Sequence, residues 1–176
     1  MPNITVEISS MSLSEPFKEK EISSLIHTIY PEIDAETQCF FNTVLPERTF
    51  LEKIFLLNEE QQKVKPRISR MSRHLYDLEK IMDTSFAKAA LANIELYKSI
   101  IKHRKTFNNI SGIDYSKNLP FAIEIYPTDK YLDEWEKDYR LLQTSFIYGH
   151  SISFNRLLER IKELNDRIKE IDIQEF

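Results

Sequence analysis

The sequence predicts an α+β fold that is mainly helical, with a small sheet of two or three strands. Of its 176 residues, 41% are apolar and 30% are charged, which is the composition of an ordinary globular domain. The chain has only two glycines, which disfavours the many tight hairpins of an all-β sandwich. Several long segments show helical spacing of apolar residues. We expect a single domain over residues 1–176, with a strand-helix-strand part at 1–46 and a helical part at 47–176.

The first 46 residues contain two predicted strands and one predicted helix. Residues 3–9 alternate between apolar and polar side chains, and the alternation places Glu7 opposite the apolar side. Glu7 is either an exposed strand carboxylate or a metal ligand. The segment 14–16 (SEP) opens a helix, since proline is tolerated in a first turn; its apolar stripe contains Ile22, Leu25, Ile26 and Ile29. Residues 37–45 are rich in β-branched and aromatic side chains, which favours a strand.

The next helix is predicted to begin at about Thr49. Thr49 and Glu52 have the spacing of a capping box, in which each side chain bonds a free backbone N–H of the first turn. This start places Lys53 near the positive end of the helix dipole, where an ammonium group beside free N–H donors suits a phosphate. The polar residues 58–66 are predicted to form a connector.

A second helix carries a charged stripe that is separate from its core stripe. At 3.6 residues per turn, one side carries Arg70, Arg73, His74 and Asp77. The core side carries Met71, Leu75, Leu78 and Met82. Arg73 and Asp77 either form a surface ion pair, worth about 0.5 kcal/mol or less, or contact a substrate. The five cations between Lys63 and Arg73, with no acid among them, are either solvated or face phosphates.

The remaining chain is predicted to be helical with one short strand. Residues 83–85 (DTS) cap a helix over 86–105, residues 107–119 form a loop, and residues 121–126 add a short strand. A helix over 130–144 carries four acids, Asp133, Glu134, Glu136 and Asp138, which we interpret as a solvated face. Ser153 is predicted to cap a last helix that ends at about residue 171.

Composition also constrains the expected compartment. The single Cys39 excludes an intramolecular disulfide and fits a reducing environment. The sequence has no apolar run of the roughly 18 residues that a membrane span needs, so no membrane partner and a cytoplasmic location are expected.

The segments 48–53 (RTFLEK) and 73–78 (RHLYDL) resemble two motifs of the AbiEii/AbiGii abortive-infection toxin family of nucleotidyltransferases. The similarity extends to the Val6-Glu7-Ile8, Asp138-Tyr139 and Ser153-Phe154 segments. The resemblance implies that Lys53 contacts nucleotide phosphates and that Asp77 is a catalytic carboxylate. It also implies substrate-binding roles for Arg48, Arg70, Arg73 and His74, with Glu7 as a tentative Mg²⁺ ligand.

One part of the family pattern is missing from the sequence. Family members resemble one another in a Gly-Ser or Gly-Gly turn that is followed by an Asp-x-Asp pair, and neither Gly112 nor Gly149 is followed by such a pair. The chain is therefore expected to be the C-terminal part of such an enzyme, with residues 1–46 belonging to its nucleotidyltransferase lobe.

The resemblance implies a bacterial toxin of a toxin-antitoxin or phage-defence system. Such a toxin would use Mg²⁺ to transfer nucleotides from a nucleoside triphosphate to an RNA acceptor, such as the 3′ end of a transfer RNA. A cognate antitoxin would be its protein partner. The alternative is a catalytically inactive helical module that binds a nucleotide or a protein.

Overall fold

The computed structural model describes residues 16–33 and 38–172. Within these ranges it contains seven α-helices and one two-stranded sheet. The helices are α1 (Leu25–Ile29), α2 (Pro46–Gln61), α3 (Ser72–Ile81), α4 (Ser85–Ala92), α5 (Ile94–His103), α6 (Leu132–Ser145) and α7 (Phe154–Lys169). The strands are β1 (Phe17–Ile22) and β2 (Cys39–Val44). The predicted mainly helical α+β class is confirmed, whereas the strand predicted at residues 3–9 lies outside the described residues.

The two strands form an antiparallel ribbon whose register runs from Phe17↔Val44 to Ile22↔Cys39. Every residue of the ribbon is exposed except Val44, which is half-buried. The prediction of a helix from Pro16 through Ile22 was wrong, because this segment pairs residue by residue with β2. Only α1 remains helical, and its cap is Ser24, whose side chain accepts from the His27 N–H at 3.0 Å.

Helix α2 begins at Pro46, three residues before the predicted start. Proline at the first helical position needs no N–H partner, and this preference outweighs the Thr49 capping signal. The Thr49 hydroxyl instead donates to the Leu45 carbonyl at 3.5 Å. Lys53 consequently lies two turns inside the helix. The prediction that Lys53 is near the helix start was wrong, and the dipole argument does not apply to it.

Helix α2 also extends further than predicted. Asn58, Glu59 and Glu60 are helical and nearly inaccessible, not part of a connector. Their polar groups are buried because each has a partner in the fold: the Asn58 amide, for example, donates to the Asn118 side chain at 2.7 Å. A polar sequence run was therefore misread as a surface segment.

The predicted helix over 86–105 is divided in two. Thr84 caps α4 within the predicted capping segment, since its hydroxyl accepts from the Ala87 N–H. Asn93 ends α4 and caps α5, because its side chain accepts from the Leu96 N–H at 3.0 Å. A π-helical turn over Arg104–Asn108 follows α5.

The last helix begins at the cap residue that the sequence predicted. Ser153 caps α7 by accepting from the Arg156 N–H at 3.3 Å. The strand predicted at 121–126 was wrong: the segment contains a 3₁₀ turn at Pro120–Ala122 and then extended chain without strand pairing among the described residues. Two further 3₁₀ turns lie at Tyr115–Asn118 and Asp129–Tyr131.

One hydrophobic core joins these helices. Its largest fully buried side chains include Phe50, Phe55, Met71, Leu75, Leu78, Tyr97, Trp135 and Tyr139. The predicted core stripe of α3 is confirmed, since its four members are almost completely inaccessible. No described helix is both long and apolar enough to cross a bilayer.

Candidate functional site

Two polar side chains from different helices meet at the surface of this core. The Lys53 ammonium of α2 donates to Asp77 Oδ2 of α3 at 2.7 Å, across 24 positions of sequence. The Lys53 side chain is 20% exposed and that of Asp77 is 39% exposed. Because both helices bury their apolar faces in one core, the amine and the carboxylate are held together at its edge. A small ligand has access to both groups.

His74 is the third member of this group. Its Nδ1 lies 3.5 Å from the Lys53 ammonium nitrogen, and its ring is only partly accessible. Burial, reinforced by the positive charges of Lys53 and Arg73, lowers the pKa of His74 to about 4. The imidazole is therefore neutral at physiological pH and offers a lone pair to the amine.

A cavity of about 260 Å³ adjoins Asp77. Its polar wall contains Arg70, Ser72, Arg73, Asp77 and Asp138, and its apolar wall contains Leu141 and Leu142 from α6 and Phe146 directly after that helix. Three of the predicted site residues thus line one cavity, and Asp77 pairs with Lys53 rather than with Arg73, the surface partner that was one of two alternatives. The apolar wall was missed, because Leu141 and Phe146 carry no chemical signal in the sequence.

Asp138 connects α6 to the beginning of α3. Its Oδ1 accepts from the Arg70 N–H at 2.6 Å, and its Oδ2 accepts from the Ser72 N–H at 3.0 Å and the Ser72 hydroxyl at 2.5 Å. Arg70 has a left-handed backbone with φ of 63°. The interpretation of the α6 acids as a solvated face was therefore wrong for Asp138.

Arg48 lies in a different group. It is 3% exposed, and its guanidinium donates to Glu52 at 3.0 Å. Glu52 also accepts from Arg104, which makes two further bonds to Glu59 at 2.7 and 2.6 Å. This buried ion network stabilises the junction of α2 with the π-helical turn. A substrate contact for Arg48 stays a prediction.

The basic run between α2 and α3 serves several purposes. Lys63 pairs with Glu60, whose carboxylate also accepts from the Arg67 N–H at 2.9 Å. Arg70 and Arg73 line the cavity, while the side chains of Lys65 and Arg67 are exposed. The run is thus partly structural and partly a cationic rim.

The described residues do not fit a magnesium ion. They include no group of three or more His, Cys, Asp or Glu side chains placed to hold a metal. Near the cavity, Asp138 is occupied by three donors and Asp77 by Lys53, whereas Mg²⁺ prefers near-octahedral oxygen ligands. Glu7, the tentative ligand, lies outside the described residues.

Comparison with protein families gives one match, the family described as nucleotidyl transferase AbiEii toxin, type IV toxin-antitoxin system, over residues 1–160. The chain belongs to the AbiEii toxin family. The resemblance of segments 48–53 and 73–78 is thereby confirmed at the level of the family. Membership implies a nucleoside triphosphate substrate and an antitoxin partner, and nucleotidyltransferases generally use a divalent metal. Comparisons of this AbiEii chain with curated proteins and with solved structures gave no match.

Proposed function

We propose that the group formed by Lys53, His74 and Asp77, together with the adjoining cavity, binds a nucleoside triphosphate for nucleotidyl transfer. The observation that carries the proposal is the 2.7 Å contact of an amine and a carboxylate beside a cavity with two further cations, Arg70 and Arg73. Each of the two contacting residues comes from one of the motif segments. Such a cluster is suited to a polyphosphate because guanidinium and ammonium groups are strong phosphate donors.

In this proposal each of the two cavity walls contacts a different part of the nucleotide. The phosphates contact Lys53, Arg70 and Arg73, while the nucleoside lies against the apolar wall that includes Leu141 and Phe146. A volume of about 260 Å³ accepts part of a nucleotide and leaves the rest in solvent. His74, being neutral, does not compete with the phosphates for cations.

The transfer step uses the Lys53–Asp77 contact as a switch. When the Lys53 ammonium donates to a phosphate instead, Asp77 Oδ2 loses this donor and becomes available as a base. The acceptor hydroxyl then attacks the α-phosphorus, its proton passes to Asp77, and the bond to pyrophosphate breaks. The products are a nucleotidylated acceptor and free pyrophosphate.

The proposed acceptor is RNA, such as the 3′ end of a transfer RNA, and the proposed partner that opposes the toxin is a cognate antitoxin. The exposed cations Lys65 and Arg67, beside the cavity residues Arg70 and Arg73, supply a rim for an RNA backbone. Binding through such a rim weakens steeply with salt.

The exposed ribbon supports the proposal that this chain acts as the C-terminal part of a larger site. Two-stranded ribbons with both faces in water are marginally stable, and this one exposes Phe17, Ile22, Phe40 and Phe41. A second polypeptide that packs against the faces of the ribbon would cover these side chains. It would also contribute the acidic pair that family members carry.

A second candidate is a binding module without catalysis. It is favoured by the same ion pair, since Lys53 and Asp77 neutralise each other, and by the absence of a metal-binding group among residues 16–33 and 38–172. Such a module would bind nucleotides or a protein without turning them over.

Labelled-nucleotide transfer tests both candidates. Each labelled nucleoside triphosphate is incubated with Mg²⁺, transfer RNA and the chain, alone and with a polypeptide that carries Gly-Ser and Asp-x-Asp elements. Label in RNA that disappears in Lys53→Ala and Asp77→Asn, but persists in the exposed-site controls Lys88→Ala and Asp166→Asn, supports the proposed site. Transfer that survives both site variants would refute it. Nucleotide binding without transfer under either condition would favour the binding module.

A further inference from the structure

Asp138 holds a strained backbone next to the proposed phosphate site. Arg70 has φ of 63°, a left-handed conformation that is unfavourable for a residue other than glycine. The Arg70 N–H bond to Asp138 Oδ1, at 2.6 Å, is the contact that compensates this cost. Strain of this kind persists only where surrounding contacts fix it, and it concentrates at functional sites.

The same carboxylate fixes the first turn of α3. Its Oδ2 accepts two bonds from Ser72, the first residue of the helix, and Met71 at the cap position supplies no side-chain bond. Asp138 therefore acts as the cap of α3 from a different helix, and an anion is favourable at a helix N-terminus. Arg73 and Asp77 follow on α3, and their side chains line the same cavity as Arg70.

We infer that Asp138 is a positioning residue for phosphate binding: it fixes the left-handed turn at Arg70 so that the Arg70 guanidinium lines the cavity beside Arg73. The inference rests on the proposed function of the cavity. Asp138 contacts Arg70 through the backbone, so its effect on a ligand is transmitted through Arg70.

The charge of Asp138 and its positioning role predict opposite effects of the variant Asp138→Asn on anion binding. Asp138→Asn removes a negative charge from the cavity wall, which by charge alone would strengthen the binding of an anion. It also replaces one of the two acceptor oxygens by an NH₂ group, which cannot accept from a backbone N–H. If positioning dominates, the release of Arg70 makes anion binding weaker.

The test measures binding of inorganic triphosphate to the full chain by calorimetry, in EDTA. We expect Asp138→Asn and Arg70→Ala each to weaken triphosphate binding about fivefold or more. The double variant should bind no less tightly than whichever single variant has the lower affinity. Asp166→Asn, an exposed acid on α7, is the charge-matched control and should stay within about twofold.

The outcomes separate the two claims. If the wild-type chain binds no triphosphate, the proposed function fails and the role of Asp138 fails with it. If the wild type binds but Asp138→Asn binds equally or more tightly, or if its effect adds to that of Arg70→Ala, only the positioning role is overturned. Should Asp138→Asn not fold, Asp138→Glu retains the charge and displaces the oxygens by one methylene, and the same weakening is expected.

Discussion

The partly buried His74 makes the stability of this protein depend on pH in a defined interval. Its pKa is 6.5 in the unfolded chain and about 4 in the folded protein. Between these values the unfolded chain binds a proton that the folded protein does not, so acid favours unfolding. The contribution of His74 to the free energy of unfolding is fully present above pH 6.5 and is lost progressively as the pH falls toward 4.

The size of the effect follows from the lowered pKa. The complete pKa difference corresponds to about 3 kcal/mol in the free energy of unfolding. About 2 kcal/mol of it should be lost as the pH falls from 6.5 to 4.5. Asp83 and Glu163, whose pKa values are lowered by hydrogen bonds from Arg167, contribute in a different interval. A carboxylate of this kind retains its stabilising effect above its unfolded pKa, so the interval from 4.5 to 6.5 reports mainly on His74.

Urea unfolding followed by circular dichroism, at several pH values from 4.5 to 7.5, measures this dependence. The wild type should lose about 2 kcal/mol across the interval, whereas His74→Gln should lose much less because it has no proton to bind there. His150→Gln, which removes an exposed histidine, should follow the wild type. Equal slopes for the wild type and His74→Gln would refute the assignment of a neutral, partly buried imidazole.

Three further outcomes are expected. Arg104→Met leaves the buried Glu59 without its guanidinium and should lower the free energy of unfolding by about 3–5 kcal/mol in urea. Arg156→Met, at an exposed pair, should lower it far less, and similar losses for the two variants would contradict the role of the buried network. Ser153→Ala removes the cap of α7 and should cost about 1 kcal/mol in thermal unfolding, so an unchanged midpoint would refute the capping bond. Phe146→Ala, in the apolar wall, should weaken nucleotide binding about fivefold or more but leave the binding of inorganic triphosphate unchanged. Equal effects on the two ligands would show that the nucleoside does not contact this wall.

Local sequence signals predicted the core stripes and two of the caps. The stripe on α3 and the caps at Thr84 and Ser153 depend on neighbours within a few residues, which a sequence displays directly. The convergence of Lys53 and Asp77 was expected from the paired motifs, and the structure brings the two side chains into contact.

The errors occurred where partners distant in the sequence decide the outcome. Residues 17–22 form a strand because β2 pairs with them. Asn58 and Glu59 are buried because they form hydrogen bonds with Asn118 and Arg104, which lie more than 40 positions away in the sequence. In each case the local pattern was ambiguous and the tertiary contact resolved it.

The ion pair of Lys53 and Asp77 gives the proposed site an order of events. An ion pair at the protein surface contributes little to stability even when it is partly buried, so exchanging the carboxylate for a phosphate costs little when the phosphate also reaches Arg70 and Arg73. In the proposed mechanism, Asp77 loses the Lys53 donor in that exchange, so its carboxylate is free to accept a proton once the nucleotide is bound. A base that is released by its own substrate would not activate an acceptor hydroxyl before a nucleotide is bound, so the Lys53–Asp77 contact would couple catalysis to nucleotide binding.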